Sequence, residues 1–404
     1  MVSLLPAPVR HGFRLTEAAI GVGVLLLPPI LADDRPEAAA AWAWCCALGV
    51  LVGYATATAG TGPRAVGRRL PAAAGSPVVT AWYVAGTVVG QGFICWTAAA
   101  YATGTVGGGR PLVAVLALAV LLVSAGTAVQ GRPLSASLRR CRLIATVALA
   151  TVWAIWPAVV PLDPNLFGPA PSGLALAVFV LLISAVGWES AREVTGERHP
   201  GPALLLGGGL VGALTVAVSL GHQARDGTAG PGPLPVRVAI TVAVLLLAVS
   251  YCSSNLRVAG RLLGEVRATR ATTGAPPPAL GPAAAVGCVA GAASLAVVLA
   301  GVTGTGTWQL LLGPGAMTCA IFAAFTLRIL LDRQAPIRAR AASAAALLLL
   351  GGPALASGVA LLFPFAVGAL TIRNGRTHPA GGTPVDPEQP PRAPSRAGAV
   401  DDVG

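Results

Sequence analysis

Two short runs in this sequence combine residues that disrupt helices with groups that can bind charge. Gly21-Val22-Gly23 lies midway along an apolar stretch, and Pro28-Pro29 follow shortly after it. Gly187-Trp188-Glu189 lies in another apolar stretch, preceded by Ser184, Ala185 and Val186, and sets a carboxylate directly after a glycine. Glycine lowers the steric cost of non-helical dihedrals, and proline has no amide hydrogen to give to a helix. Where a helix unwinds, amide hydrogens are exposed at one new terminus and carbonyls at the other. The amides suit a carboxylate and the carbonyls suit an ammonium group. Two such interruptions together recognise a zwitterion with few charged side chains. For Gly21 and Gly23 the alternative is close packing of small residues between helices. For Glu189 it is a place at the interface where the helix ends, although an ionisable group within an apolar stretch is a functional candidate by default.

Other residues qualify less sharply. Glu193 and Glu197 continue the spacing of four from Glu189 and read as a solvated helix end. Gln91 stands in a run of Gly, Val and Ala, where a carboxamide serves either as hydrogen-bond glue between helices or as part of a site wall. Ser253 and Ser254 offer hydroxyl oxygens for a candidate ion site. Trp82, Tyr83 and Trp96 are candidates for the site wall, but aromatic residues near span ends are more often interface anchors, and that is the role expected of them. The four histidines (His11, His199, His222, His378) fall in expected loops or tails and make no metal set. The seven cysteines show no C-x-x-C spacing and read as small buried hydrophobes.

The elements that hold these groups follow from composition. Only 10% of the 404 residues are charged and 55% are hydrophobic, with mean hydropathy +0.75. Soluble domains carry about 25% charged residues, so the solvent of this chain is a lipid bilayer. Apolar runs of the length a span requires occur at 15–32, 38–59, 78–103, 112–129, 143–160 and 173–191, then at 203–220, 238–258, 283–302, 308–330, 341–355 and 357–372. The expected fold is an all-α polytopic membrane protein with 12 transmembrane helices. The last two runs share a Gly/Pro/Ser connection, and reading them as one long helix is the main alternative. Residues 1–14 have no apolar signal region, so the first span is expected to act as an uncleaved signal. Residues 373–404 are rich in Pro, Gly, Arg and Asp and are expected to form a disordered tail.

All 27 basic residues are arginine. With the N-terminus inside, 23 fall on inner segments, and only Arg35, Arg110, Arg225 and Arg237 fall outside. That asymmetry places both termini in the cytoplasm of a cell membrane. The net charge of +12 is spread over short loops rather than gathered into a stripe, so no nucleic-acid partner is expected.

On these residues the chain resembles the amino acid–polyamine–organocation transporter superfamily, most of all its bacterial branch of methionine and branched-chain amino acid exporters. The resemblance is carried by IGVGVLLLP (20–28), GRRLPAAAG (67–75), GWESA (187–191) with Glu197 and Pro200, and SNLRVAGRLL (254–263), in family order over the first eight spans. The stretch after the sixth span is shorter than the family's, and the loop 268–278 departs from its usual form. The resemblance implies a five-plus-five inverted repeat, spans 1–5 over 15–160 and spans 6–10 over 173–330, with accessory helices at 341–372. It implies broken first and sixth helices, with substrate at Ile20, Gly21, Val22 and Gly23, at Ser184, Ala185, Gly187 and Trp188, and beside Gln91. It gives Glu189 a role in proton coupling or gating, and sodium-coupled relatives place an ion near Ser253 and Ser254.

The function expected is therefore secondary, proton-coupled transport of neutral aliphatic or sulfur-containing amino acids, with export favoured by the resemblance. A sodium-coupled uptake permease or exchanger is the alternative within this class. A membrane sensor or an integral-membrane transferase is the alternative outside it. The Gly runs at 107–109 and 207–209 lack the Lys and Ser/Thr of a phosphate loop. No enzymatic activity, cofactor or obligate protein partner is expected beyond substrate, protons and membrane lipid.

Overall fold

A computed structural model of the chain describes residues 6–19, 23, 26–27, 37–59, 77–130, 135–156, 159, 162–167, 173–185, 188, 200–224, 231–271, 281–303 and 307–376. Among these residues the regular structure is entirely helical: α1 (Ala7–Ala19), α2 (Ala38–Ala59), α3 (Pro77–Val106), α4 (Arg110–Val129), α5 (Ala136–Ile155), α6 (Leu174–Leu181), α7 (Pro200–Gln223), α8 (Leu234–Ala271), α9 (Pro282–Thr303), α10 (Thr307–Leu331), α11 (Ile337–Ser357) and α12 (Leu362–Arg376). Short 3-10 segments stand at Pro164–Leu166, Leu182–Ala185 and Gly358–Leu361. Eight stretches among the described residues are long and apolar enough to cross a membrane, so the chain is a polytopic membrane protein.

Local signals account for several helix boundaries. The α3–α4 connection uses Gly107 and Gly108 at φ +82° and +144°, a conformation that favours glycine. Pro111 stands in the first turn of α4, where its missing N–H costs nothing. Ser135 caps α5, its hydroxyl accepting from the Leu138 amide at 3.2 Å. That cap sets the fifth helix at Ala136–Ile155 rather than at the apolar run 143–160, because the helix takes in Arg139, Arg140 and Arg142 before its apolar part. α1 likewise begins at Ala7, before the expected start at residue 15, and α12 runs to Arg376, past the expected edge of the tail.

Side-chain contacts fix the direction of each helix. Thr105 meets Thr241 at 2.7 Å and Cys95 meets Cys252 at 3.7 Å, so α3 and α8 are antiparallel. Gly201, Gly208 and Gly212 of α7 face Tyr54, Val50 and Cys46, so α2 and α7 are antiparallel. α9 follows α3, with Gly92 beside Ala293 and Val297 and Gly301 beside Trp96, and so opposes α4, whose Ala114 also meets Gly301. Each of these pairs joins a helix to the one five places later. α11 opposes α2, through Trp44 at Leu349 and through Ala55 near Ala339 and Ala342. α12 opposes α3, with Trp82 at Pro364 and Val78 at Gly368. The stretch 337–372 is thus not one straight rod. The chain turns at Gly358, where φ is +52°, and α12 runs back along α3 and α10, with Phe363 at Gly313.

The bundle has two chemically different ends. Arg139, Arg140, Arg142, Arg257, Arg261, Arg328, Arg333, Arg338 and Arg340 gather at the end where α5, α7 and α11 begin, while Arg110 and Arg237 stand at the far end. Small residues dominate the helix contacts, allowing close approach where lipid supplies no hydrophobic drive for association. Large apolar side chains such as Leu348 (81% exposed) and Leu355 (86%) cover the perimeter, the surface that lipid would wet.

One proline shapes a contact directly. Pro353 lies inside α11 and cannot donate to the carbonyl four residues earlier, that of Leu349. Trp44 of α2 supplies the missing donor, its indole Nε1 lying 3.1 Å from Leu349 O, while Gly352 makes room for the ring.

Candidate functional site

The sixth apolar stretch begins as an ordinary helix and then changes character inside the bundle. α6 is α-helical from Leu174 to Leu181, and from Leu182 to Ala185 it tightens to 3-10 geometry. At the transition the carbonyls change partners. The Leu182 amide bonds to Phe179 O and Val178 O, and Leu181 O accepts from the Cys45 thiol of α2 at 3.4 Å. Cys45, expected to be a mere small hydrophobe, is thus a weak donor placed at a helix interruption.

Glycines on five neighbouring segments press on this stretch. A Cβ added to Gly23 would lie 2.7 Å from Ser184 Oγ, one on Gly90 of α3 would lie 2.5 Å from Ile183 Cδ1, and one on Gly49 of α2 would lie 2.7 Å from Trp188 Cδ1. Gly315 of α10 approaches so closely that its Cβ would stand 2.5 Å from Phe179 O, and Gly208 of α7 lies under the edge of the Trp188 ring. Trp188 itself is 1% exposed. The bulk in this region is carried by Phe179, Ile183 and Trp188, and the surrounding backbones have given up side chains to admit it. The arrangement places Gly23 against Ser184 of the sixth stretch, residues 161 positions apart in sequence.

Among the described residues, three polar atoms around this point are buried and without a hydrogen-bond partner: Ser184 Oγ, Gln91 Oε1 and Trp42 Nε1. Gln91 follows Gly90, which touches Ile183. Trp42 shares one face of α2 with Cys45 and Gly49, at i, i+3 and i+7, and that face meets α6. Together they provide a hydroxyl, a carbonyl acceptor and an N–H donor. Buried polar groups are normally satisfied, so these three atoms mark the point as a candidate site. Ala185 is buried beside them. Ile20, Gly21, Val22, Gly187 and Glu189 lie outside the described residues, as do Glu193 and Glu197.

The candidate ion site is arranged differently. Ser253 Oγ donates to Val249 O at 2.6 Å and bonds to Thr127 of α4. Ser254 Oγ donates to Ser250 O at 3.0 Å and accepts from the Arg142 guanidinium of α5 at 3.3 Å. Arg142 also lies 4.1 Å over the Tyr251 ring. Both hydroxyls therefore turn towards α4 and α5, and the positive charge of Arg142 stands beside Ser254. Among the described residues no three His, Cys, Asp or Glu side chains are grouped to hold a metal.

The aromatic residues depart from their expected role as interface anchors. Trp96 is 1% exposed and donates to Leu166 O at 3.3 Å, and Trp82 donates to Pro364 O at 2.8 Å. Trp42 and the glycines at 49, 90, 208 and 315 were not singled out by sequence. The i, i+3, i+7 spacing of Trp42, Cys45 and Gly49 was visible, but helical spacing alone does not say which partner a face meets.

No protein-family model matches the chain, and no curated protein matches it in sequence.

Proposed function

We propose that this chain is a secondary active transporter that moves neutral aliphatic or sulfur-containing amino acids across the cell membrane, coupled to protons. The observation that carries the reading is the meeting of Gly23 with Ser184 amid the unpartnered atoms of Ser184, Gln91 and Trp42. A substrate site between repeats requires two interrupted stretches that converge on such groups, and the 3-10 turn Leu182–Ala185 supports the second of them. In this reading spans 1–5 and 6–10 form a five-plus-five inverted repeat in which helices 11 and 12 are accessory. The opposed directions of α11 and α12 support counting twelve spans. The arginine-rich end is read as cytoplasmic, which puts both termini inside.

In this reading the backbone amides near Gly21 to Gly23 hold the substrate carboxylate and the carbonyls of the sixth interruption hold its ammonium group. Ser184 Oγ and Gln91 Oε1 are acceptors for the remaining N–H bonds of that ammonium group, and Trp42 Nε1 is a donor for the carboxylate. Ile183, Phe179 and Trp188 form an apolar wall that favours aliphatic and thioether side chains. Glu189 carries the coupling proton. Arg142 beside Ser254 disfavours a further cation at that pair, and the coupling ion in this reading is the proton. Export is the direction the family resemblance favours, with the gradients deciding it in practice.

The test is uptake and counterflow in proteoliposomes against a panel of amino acids, with pH and sodium gradients imposed separately. Proton-driven flux of methionine, leucine, isoleucine or valine is expected. Absence of flux for every amino acid under both gradients overturns the reading.

A further inference from the structure

The segment between α5 and α6 does more than connect them. Asp163 Oδ1 accepts from the Asn165 amide at 2.9 Å, and the Leu166 amide bonds back to Asp163 O at 3.1 Å, closing the 3-10 turn Pro164–Leu166. Asp163 and Asn165 are exposed, yet Leu166 and Phe167, which follow, are 5% and 1% exposed. The turn is therefore a wedge, polar on one side and driven into the bundle on the other.

Two side chains grip its backbone. Arg110, at the start of α4, donates from Nη2 to Asn165 O at 2.8 Å. Trp96 of α3 donates from Nε1 to Leu166 O at 3.3 Å. Trp96 is ten residues before the end of α3 at Val106, about 15 Å down the helix axis at the usual rise. It is five residues, about 8 Å, above Gln91. An irregular backbone carbonyl is thus bonded to a side chain rooted well below the far end of the bundle. Such backbone is tolerated at membrane depth only where protein shelters it or where it borders a water-filled path. The wedge is also tied to the site through the chain. It precedes Gly173, at φ +87°, which opens α6 and the 3-10 turn that holds Ser184.

We propose that Leu162–Phe167 is a strap that closes the far mouth of the bundle over the α6 site, with Trp96 and Arg110 as its latches. Both latches bind backbone carbonyls, so release needs only that two side chains let go while the turn keeps its internal hydrogen bonds. Strap opening unpacks Leu166 and Phe167 and frees the start of α6, which links access from the far end to the position of Ser184. This role rests on the transport reading for what passes, but the closure itself does not depend on it.

The experiment measures access rather than flux. Ser184→Cys is reconstituted in proteoliposomes and labelled with a membrane-impermeant maleimide, and the modified peptide is quantified by mass so that the native cysteines do not interfere. Trp96→Phe keeps an aromatic ring but removes the donor, and Arg110→Gln shortens the second latch. Each is expected to raise the labelling rate of the introduced thiol by about 3- to 10-fold, the size of effect that one lost hydrogen bond has on an open–closed equilibrium. Unchanged labelling in both variants overturns the strap. Faster labelling in protein that moves no amino acid supports the strap while overturning the proposed substrate.

Discussion

The Ser184 hydroxyl occupies the space in which a side chain on residue 23 would begin, since a Cβ built on Gly23 falls 2.7 Å from Ser184 Oγ. The nearest other atoms, Leu27 Cδ1 at 3.4 Å and Ser184 Cβ at 3.7 Å, are at ordinary contact distance. Gly23→Ala is therefore expected to destabilise the protein by about 1–3 kcal/mol, the usual cost of overpacking, and to weaken amino acid binding. Ser184→Ala removes the clashing oxygen and leaves the Cβ. Combining it with Gly23→Ala is expected to bring the melting temperature back to that of Ser184→Ala alone. A double variant as unstable as the sum of the two singles would show that these residues do not meet.

Trp44 and Pro353 form a second separable pair. Trp44→Phe leaves the Leu349 carbonyl without its donor, at an expected cost of about 1–3 kcal/mol for an unsatisfied buried group. Pro353→Ala restores the amide that Leu349 O would accept from in an unbroken helix. In that background Trp44→Phe is expected to cost less, and thermal unfolding of the four proteins reads the difference as a coupling energy. Additive effects would remove the link between the indole and the proline.

Sodium dependence tests the arrangement at Ser254. With Arg142 bonded to its hydroxyl, Ser254→Ala is expected to leave transport rates unchanged at any sodium concentration and to lower stability by about 1 kcal/mol. A sodium-driven flux that Ser254→Ala abolishes would reverse the assignment.

Glu189 carries the sharpest functional expectation. Glu189→Gln keeps the side chain's shape and removes its charge, so proton-driven flux is expected to disappear while one-for-one amino acid exchange continues. Measuring both in the same proteoliposomes separates the two. A variant with wild-type pH dependence would remove Glu189 as the coupling group.

Much of the architecture was legible from sequence because the bilayer imposes it. A backbone group in hydrocarbon must find its partner within its own helix, so each apolar run announces a span without reference to its neighbours. The boundaries that sequence placed less well, at α1 and α5, are those where arginines continue a helix past its apolar part. Arg139, Arg140 and Arg142 read as loop residues by hydropathy, yet the Ser135 cap had already started the helix.

The site divides along the same line. Residue types alone mark Gly23, Ser184 and Gln91 as unusual, because glycine in a span interior and polar atoms in an apolar run each carry a local cost. What those residues face is a matter of packing. Gly23 and Ser184 lie 161 residues apart, and no local rule pairs them. Trp96 resembled an interface anchor and lies buried with its indole on Leu166 O, and the contact that brings Arg142 of α5 to Ser254 has no counterpart in local sequence. Hydropathy reports how a residue relates to its solvent, whereas a site depends on which helix faces meet, and that is fixed by packing of the whole bundle.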